Sequence, residues 1–420
     1  MSGSFMEEKV FKDPVHDYLY VKDRFIWDLI NTKAMQRLRF IKQLGTSYLT
    51  FHGAEHSRFA HSLGTYDTMR QVISHFKRNH GWNPDERLEK LALSAALLHD
   101  IGHGPFSHTF ERCFRCHHES WTARILLEDA ELQQIFSQMD DAFAFDVVRV
   151  LRKESEYPIL HQLISSQLDV DRMDYLLRDA TATGVIYGKF ELERLIRVMR
   201  PAENMVVVKA SGIHTVEQYL LARYFMYSQV YQHKVTIGAD VLIEKILQRA
   251  TDCYQNQVLS YIPAELVWLF ADQVAEMPVD EYMQLDDVML LSIVRRWAKE
   301  EDPILRDLSD RLLTRRLFKS ISYKNISHEQ MCEFMESFQK LGIDPASYLE
   351  FRQTTTDGYL YRQGIYCCDE NNHCQDIAEI SPVIRSLTPR TENRMYYPKD
   401  LLVERSEGEK LLTRILKLEA

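Results

Sequence analysis

The stretch Leu97-Leu98-His99-Asp100-Ile101-Gly102-His103-Gly104-Pro105-Phe106-Ser107-His108 decides how the rest of the chain is read. It follows Leu88, Leu91, Ala92, Ala95 and Leu98, whose three- and four-residue spacing predicts a helix with one buried face. Gly102, Gly104 and Pro105 predict its end, because glycine tolerates positive φ and the residue before a proline is steered away from helical geometry. His99 and Asp100 then sit at the end of a rigid helix. Neutral imidazole and carboxylate are both good ligands for a divalent first-row ion. Two ligands are too few for a site, and a His-Asp pair capping a core helix is the plainer reading of the dipeptide alone.

Other parts of the chain supply more of the same residue types. Phe59, Leu63, Tyr66, Met69 and Ile73 predict a helix that starts near Ser57, whose hydroxyl is a suitable N-cap. His61 lies on that helix as a third ligand candidate, against the alternative of a satisfied core histidine. Between Gln167 and Asp179, Val170, Met173 and Leu177 point inward, and Asp171, Tyr175 and Asp179 recur every four residues on a neighbouring face. An acidic residue beside a buried stripe is costly unless paired or bound to a cation. Asp171 is the fourth candidate; the alternative is a salt-bridged helix with Arg172 and Arg178 as partners. His118 beside Glu119 forms either a relay pair, in which the carboxylate fixes the imidazole tautomer, or a surface cap.

The 420 residues, 45% hydrophobic and 27% charged, suit an ordinary globular protein with a large core. A net charge of −10 argues against wholesale binding to nucleic acid, which rests on neutralising phosphates. No apolar run approaches the roughly 20 residues of a bilayer span, and the N-terminus shows no signal-peptide pattern, so a cytoplasmic location away from membranes is expected. The seven cysteines are expected to be free thiols. Cys113-x-x-Cys116-His117 matches a haem-attachment pattern without the export that chemistry needs, and the cluster Cys367, Cys368, His373, Cys374 lacks paired zinc-site spacing. A hairpin is predicted over Lys9 to Val21, a break at Asn31-Thr32, a second hairpin near Met205–Lys209, and strong helix over 215–250. The last hundred residues, with Tyr359-Leu-Tyr-Arg362 and Gly364-Ile-Tyr-Cys367, change to a mixed α+β character.

Taken together, His61, His99-Asp100 and Asp171 resemble the H…HD…D signature of the HD superfamily of metal-dependent phosphohydrolases. Asp13-Pro-Val-His16, Gln36-Arg-Leu-Arg39-Phe-Ile-Lys-Gln-Leu-Gly45, Arg58-Phe-Ala-His61-Ser-Leu-Gly64, the central stretch, Asp169-Val-Asp-Arg-Met-Asp-Tyr175 and Tyr231-Gln-His-Lys234 extend the likeness over about residues 9 to 320. They resemble the deoxynucleoside triphosphate triphosphohydrolases, in the branch containing the sterile-alpha-motif and HD-domain enzyme and its bacterial relatives. The implied fold is mostly α: an HD-domain helical bundle with short β-hairpins. A phosphohydrolase domain would span 1–320, with its motif core at about 45–240, followed by a smaller α+β extension at 321–420.

The resemblance implies hydrolysis of a dNTP to deoxynucleoside and inorganic triphosphate. His61, His99, Asp100 and Asp171 would hold one divalent ion per subunit, and the ligand set does not choose among Mn, Fe, Mg, Zn and Ni. His108 would be the general acid, with His103, His118 and Glu119 steadying the phosphate charge. Arg58, Arg172, Arg223 and Lys234 would grip the triphosphate. Gln43 and Asp179 would bind the 3′-hydroxyl, while Leu44, Tyr175 and Tyr231, followed by Gln232, would close the sugar pocket against a 2′-hydroxyl. Relatives assemble as tetramers that bind activating nucleotides, which implies a homotetramer and places Lys9, Val10, Asn31, Gln36, Arg39, Arg315 and Lys319 at regulatory sites. Asn31 stands where a guanine-reading aspartate would be, and an amide cannot accept two donors in the same way, so a dNTP activator is expected rather than GTP. The competing functions are an HD-type phosphodiesterase or phosphohydrolase for another nucleotide, and a nucleotide or nucleic-acid sensor with little turnover.

Overall fold

The computed structural model describes residues 4–356, 359 and 364–419; the expected strand residues 360–362 lie outside them. The chain opens with an antiparallel hairpin of β1 (Ser4–Asp13) and β2 (Asp17–Asp23). Its turn is fixed by Asp13, whose Oδ1 accepts the amides of Val15 and His16 at 2.9 and 3.0 Å. α1 (Arg24–Ile30) and α2 (Lys33–Arg37) are separated at Asn31-Thr32, where Thr32 caps α2 by accepting from the Met35 amide. α3 (Arg58–His80) starts where its sequence predicts, with the Ser57 hydroxyl accepting from the Ala60 amide. α4 (Glu86–Leu98) packs along α3 and buries Leu91, Ala92, Ala95 and Leu98 completely. α5 (His108–Phe114) and α6 (His118–Glu128) carry the next histidines.

Three short helices, α7 (Ala130–Phe136), α8 (Phe143–Leu151) and α9 (Pro158–Ile164), lead to α10 (Val170–Thr183), which packs across α3. α11 (Leu192–Val198) precedes the hairpin of β3 (Met199–Ala202) and β4 (Met205–Lys209). The long helical run predicted over 215–250 is interrupted: α12 (Ile213–Met226) and α13 (Lys234–Gln255) are joined through a π-helical turn, Tyr227–Tyr231. Such turns are uncommon and cluster at functional sites. This one swings Tyr227 and Tyr231 towards α10. Four more helices, α14 (Ala264–Phe270), α15 (Val279–Tyr282), α16 (Asp287–Trp297) and α17 (Pro303–Leu313), complete the bundle. The fold is therefore mostly α with short hairpins.

The C-terminal part adds β5 (Lys319–Tyr323), β6 (Glu350–Thr356), β7 (Tyr366–Cys368), β8 (Cys374–Asp376) and β9 (Arg390–Tyr397). β9 lies between β5 and β6 in one antiparallel sheet. β7 instead joins the earlier hairpin, parallel to β4 with Val208 opposite Cys367, giving the order β3-β4-β7-β8. Cys368 and Cys374 are disulfide-bonded across β7 and β8, which corrects the expectation of free thiols at these two positions. Among the described residues no helix is long and apolar enough to cross a membrane.

The glycines after α4 work differently from the sequence expectation. Positive φ falls on Phe106 (51°) and Ser107 (50°), not on Gly102 or Gly104. Asp287 clamps this strained turn, its Oδ1 accepting the Phe106 amide at 2.7 Å and its Oδ2 the Lys42 amide at 2.9 Å. Gly102 is required by close approach, since a Cβ there would lie 2.2 Å from both the His118 carbonyl oxygen and the Thr122 amide. The missing side chain lets α6, and with it His118, dock against the end of α4.

Candidate active site

His61 from α3, His99 from the end of α4 and Asp171 from the first turn of α10 offer ligand atoms within 4.8 Å of one another. His61 Nε2 is 3.0 Å from Asp171 Oδ1, and His99 Nε2 is 3.5 Å from the same oxygen. Asp100 stands beside them, its Oδ1 3.3 Å from His99 Nε2 and its Oδ2 3.9 Å from His61 Nε2. The far nitrogens are already committed. His61 Nδ1 pairs with Asp174 Oδ2 at 2.8 Å, and His99 Nδ1 donates to the Ala96 carbonyl at 2.9 Å. Both Nε2 atoms are buried and have no hydrogen-bond partner among the described residues. Two orphaned imidazole lone pairs aimed at two carboxylates are the donor set a divalent first-row ion takes, so these residues fit a metal.

The electrostatics agree with that donor set. Burial opposes a charge on His61, but the carboxylates of Asp171 and Asp174 outweigh it and push its pKa up to about 10. His99 is raised in the same way, burial being overcome chiefly by the charge of Asp100. The Asp100 carboxyl resists burial and stays well below the usual carboxylate range under the influence of His99 and Arg58. This concentration of negative field in a buried place is what a cation neutralises.

A second group of imidazoles lies alongside. His103 stacks on His118 with ring centroids 3.9 Å apart, and His108 meets both rings edge-on at 5.3 and 5.7 Å. Glu111, one turn along α5 from His108, holds the group: its Oε2 is 2.9 Å from His108 Nδ1 and its Oε1 is 2.5 Å from His118 Nδ1. The carboxylate bonded to His118 is thus Glu111, not Glu119 as in one of the two sequence readings. Glu119 is exposed and lines a cavity of 140 Å³ together with His99, Asp100, His118 and Asp171. His103 is held neutral, its pKa driven well down by burial and by the Arg58 charge. His108 is the exposed member of the group.

α10 links the metal ligands to the next cluster. Asp171, Tyr175 and Asp179 recur one turn apart; Tyr175 lies edge-on to His61 with centroids 6.3 Å apart and edge-on to Tyr231 at 6.0 Å. Asp179 accepts from Tyr231 Oη at 2.8 Å and pairs with His56 Nε2 at 2.7 Å. Leu44 packs half-buried against the core nearby in sequence to Gln43, whose buried Oε1 has no partner. Arg58 is buried on Asp100, with its Nε donating to Ser107 Oγ at 2.9 Å. Arg223 is buried with Nη1 unpartnered and its guanidinium 5.7 Å from the Tyr227 ring.

Three of the expected substrate contacts fall elsewhere. Arg172 turns back to the N-terminus of its own helix, paired with Asp169 and the Ser166 carbonyl. Gln232 donates to the Thr355 carbonyl at 2.8 Å and accepts from Thr356, tying the π turn to β6. Lys234 is exposed and lines a separate cavity of 690 Å³ with Arg315, Arg316 and Lys319. It therefore keeps company with the residues expected to be regulatory. The remaining regulatory candidates sit around β1, α1 and α2: Lys9 lies 5.9 Å from the Trp27 ring, Val10 is exposed, and Asn31 donates to the Trp27 carbonyl at 2.7 Å. Gln36 accepts from Arg39 at 2.8 Å, and Arg39 lies 3.7 Å over the Phe59 ring.

The chain belongs to the HD domain family: residues 58–179 match the HD domain and residues 190–340 the HD associated region. The HD match begins and ends on residues of the site just described, Arg58 and Asp179. Within the family, the chain is 43% identical to the uncharacterized protein YwfO of Bacillus subtilis over 99% of its own length and 98% of that protein. It is 28% identical to the deoxynucleoside triphosphate triphosphohydrolase SAMHD1 homolog of Dictyostelium discoideum over 77% of this chain and 60% of that one. A crystal structure of a phosphohydrolase from Bacteroides thetaiotaomicron superposes with a TM-score of 0.84 at 28% identity, covering 93% of this chain and all of that one. Together these define an HD-family hydrolase with a metal-binding site.

Proposed function

We propose that the protein hydrolyses a deoxynucleoside triphosphate to deoxynucleoside and inorganic triphosphate, using one divalent ion per subunit held by His61, His99, Asp100 and Asp171. The observation that carries this is the shared helix: α10 offers Asp171 to the ligand set, Tyr175 to the space beside it and Asp179 to the Tyr231 cluster, one turn after another. Polar groups that suit a sugar are thus fixed at set steps from groups that suit a phosphate. A bound ion supplies Lewis acidity at the α-phosphate and a water of lowered pKa.

The chain's own residues do the rest. His108 gives a proton to the departing 5′-oxygen, and Glu111 holds that imidazole and His118 in orientation. Neutral His103 donates to a phosphate oxygen without adding a charge. Arg58 and Arg223 anchor the phosphates through planar guanidinium groups. The 3′-hydroxyl exchanges into the Tyr231–Asp179 bond and meets Gln43 Oε1, while the Tyr175 and Tyr231 rings and Leu44 leave a 2′-hydroxyl crowded and unpartnered. All of these residues precede position 320, which is the boundary proposed between a phosphohydrolase domain and the C-terminal extension. The cavity of Lys234, Arg315 and Lys319 suits a nucleotide activator, with a cytoplasmic homotetramer as the assembly that completes it.

The test is to incubate the purified chain with each dNTP and Mn²⁺ or Mg²⁺ and to separate the products by anion exchange. Inorganic triphosphate and deoxynucleoside in equal amounts are expected. Release of pyrophosphate or a monophosphate would transfer the site to another nucleotide chemistry, and no turnover would leave a binding protein.

A further inference from the structure

Asp13-Pro14-Val15-His16 is a motif of the sequence for which the chemistry above finds no use. Its two polar side chains nevertheless converge on Asp174, the carboxylate behind His61, His16 directly and Asp13 through Arg178. We propose that Asp13 and His16, at the tip of the β1–β2 hairpin, are positioning residues for His61 and act on it through Asp174. The inference rests on the assignment of His61 as a metal ligand.

Asp174 divides its two oxygens between two histidines: Oδ2 is 2.8 Å from His61 Nδ1, and Oδ1 is 2.6 Å from His16 Nε2. Arg178, one turn further along α10, donates to the same carboxylate at 2.8 and 2.9 Å and to Asp13 at 2.8 and 3.3 Å. Asp13 in turn fixes the hairpin turn that presents His16. Asp174, Arg178 and Asp13 are all buried, and the His16 side chain is 2% exposed. α3 is cut away to admit them: a Cβ on Gly64 would lie 1.9 Å from Asp174 Oδ1 and 2.3 Å from Arg178 Nη2.

A carboxylate that met only His61 could rotate about its terminal torsion and take the imidazole with it. Held by His16 on one oxygen and by Arg178 along its edge, it cannot. The ring plane of His61 is therefore set by a hairpin more than a hundred residues away in sequence from Asp174. Outer partners of metal-bound histidines typically change metal affinity by about 10- to 100-fold when removed.

The full-length, metal-free protein is titrated with Mn²⁺ by isothermal calorimetry, and each variant's melting curve establishes that it is folded. His16→Ala is expected to weaken Mn²⁺ binding by about 10- to 100-fold. His16→Gln, whose amide can still donate to Asp174, is expected to recover most of that loss. Asp13→Asn keeps the turn acceptor but removes the charge facing Arg178, and a smaller loss of several-fold is expected; it decides the matter if His16→Ala does not fold. Wild-type affinity in a folded His16→Ala or Asp13→Asn protein overturns the proposal, as does a His16→Gln protein no tighter than His16→Ala. A wild-type protein that binds no Mn²⁺ would instead remove the metal assignment itself.

Discussion

Two groups of histidines lie side by side in this molecule and are wired differently. In the first, His61 and His99 have their Nδ1 atoms tied to Asp174 and to the Ala96 carbonyl, and their Nε2 atoms converge on Asp171 Oδ1 at 3.0 and 3.5 Å. In the second, His108 and His118 both spend Nδ1 on a single carboxylate, Glu111, and His103 stacks on the His118 ring with its pKa driven down by burial and the Arg58 charge. Residue type is the same in both. What differs is the wiring: in the first group each Nδ1 has a partner of its own, whereas in the second two Nδ1 atoms share one carboxylate. Under the proposed function the first group would hold the ion and the second would carry the proton.

The most severe way to break the comparison is to remove a ligand. His99→Ala should abolish Mn²⁺ binding in calorimetry and lower turnover by on the order of 1,000-fold or more, because the water-activating charge goes with it. Glu111→Gln should act only on the second group, lowering kcat by about 100-fold while Mn²⁺ affinity stays within about threefold. The same variant has a pH signature. Glu111 is held below the usual carboxylate range, against the effect of burial, by His108 and His118. Its stabilising contribution is present above its unfolded pKa of about 4.3 and is lost as the pH falls towards the folded value. The acid-side decline in Tm should therefore be flatter in Glu111→Gln than in the wild type.

Smaller effects sharpen the comparison. Tyr231→Phe removes the bond to Asp179 and keeps the ring, so discrimination of dNTP from NTP should fall by about 10-fold, measured as the ratio of kcat/KM values. Glu119→Gln should change kcat by less than about twofold, since this residue is exposed and its neighbour His118 already has a carboxylate.

The parts of this arrangement that were readable from sequence are those carried by local pattern. Ser57 caps the helix it was expected to cap, the break expected at Asn31-Thr32 is present, and the spacing of Leu91 to Leu98 marks the buried face of α4. The HD-type fold follows from motifs that keep their order along the chain. What escaped the sequence were partners chosen across space. Asp174 is buried on α10, and its importance comes from His16 and His61, which no spacing rule connects to it. Glu111 carried a local signal, three residues after His108 on the same helix, but Glu119 lay nearer in sequence to His118. The present partners of Gln232, in β6, and of Lys234, at a separate cavity, are likewise contacts across space that the motif Tyr231-Gln-His-Lys234 does not encode. The disulfide depends on β7 and β8 pairing in register, with Cys368 opposite Cys374.

The parallel pairing of β4 with β7 has a practical consequence for anyone shortening this protein. β4 belongs to the helical region and is bonded on one side to β3 and on the other to β7. Ending the chain before Tyr366 would strip one flank of β4, leaving the backbone groups that pair Val208 and Lys209 with β7 unsatisfied. A bared, valine-rich border of that kind recruits other chains. A truncated catalytic fragment should accordingly precipitate or self-associate, even with every ligand of the metal still in its sequence.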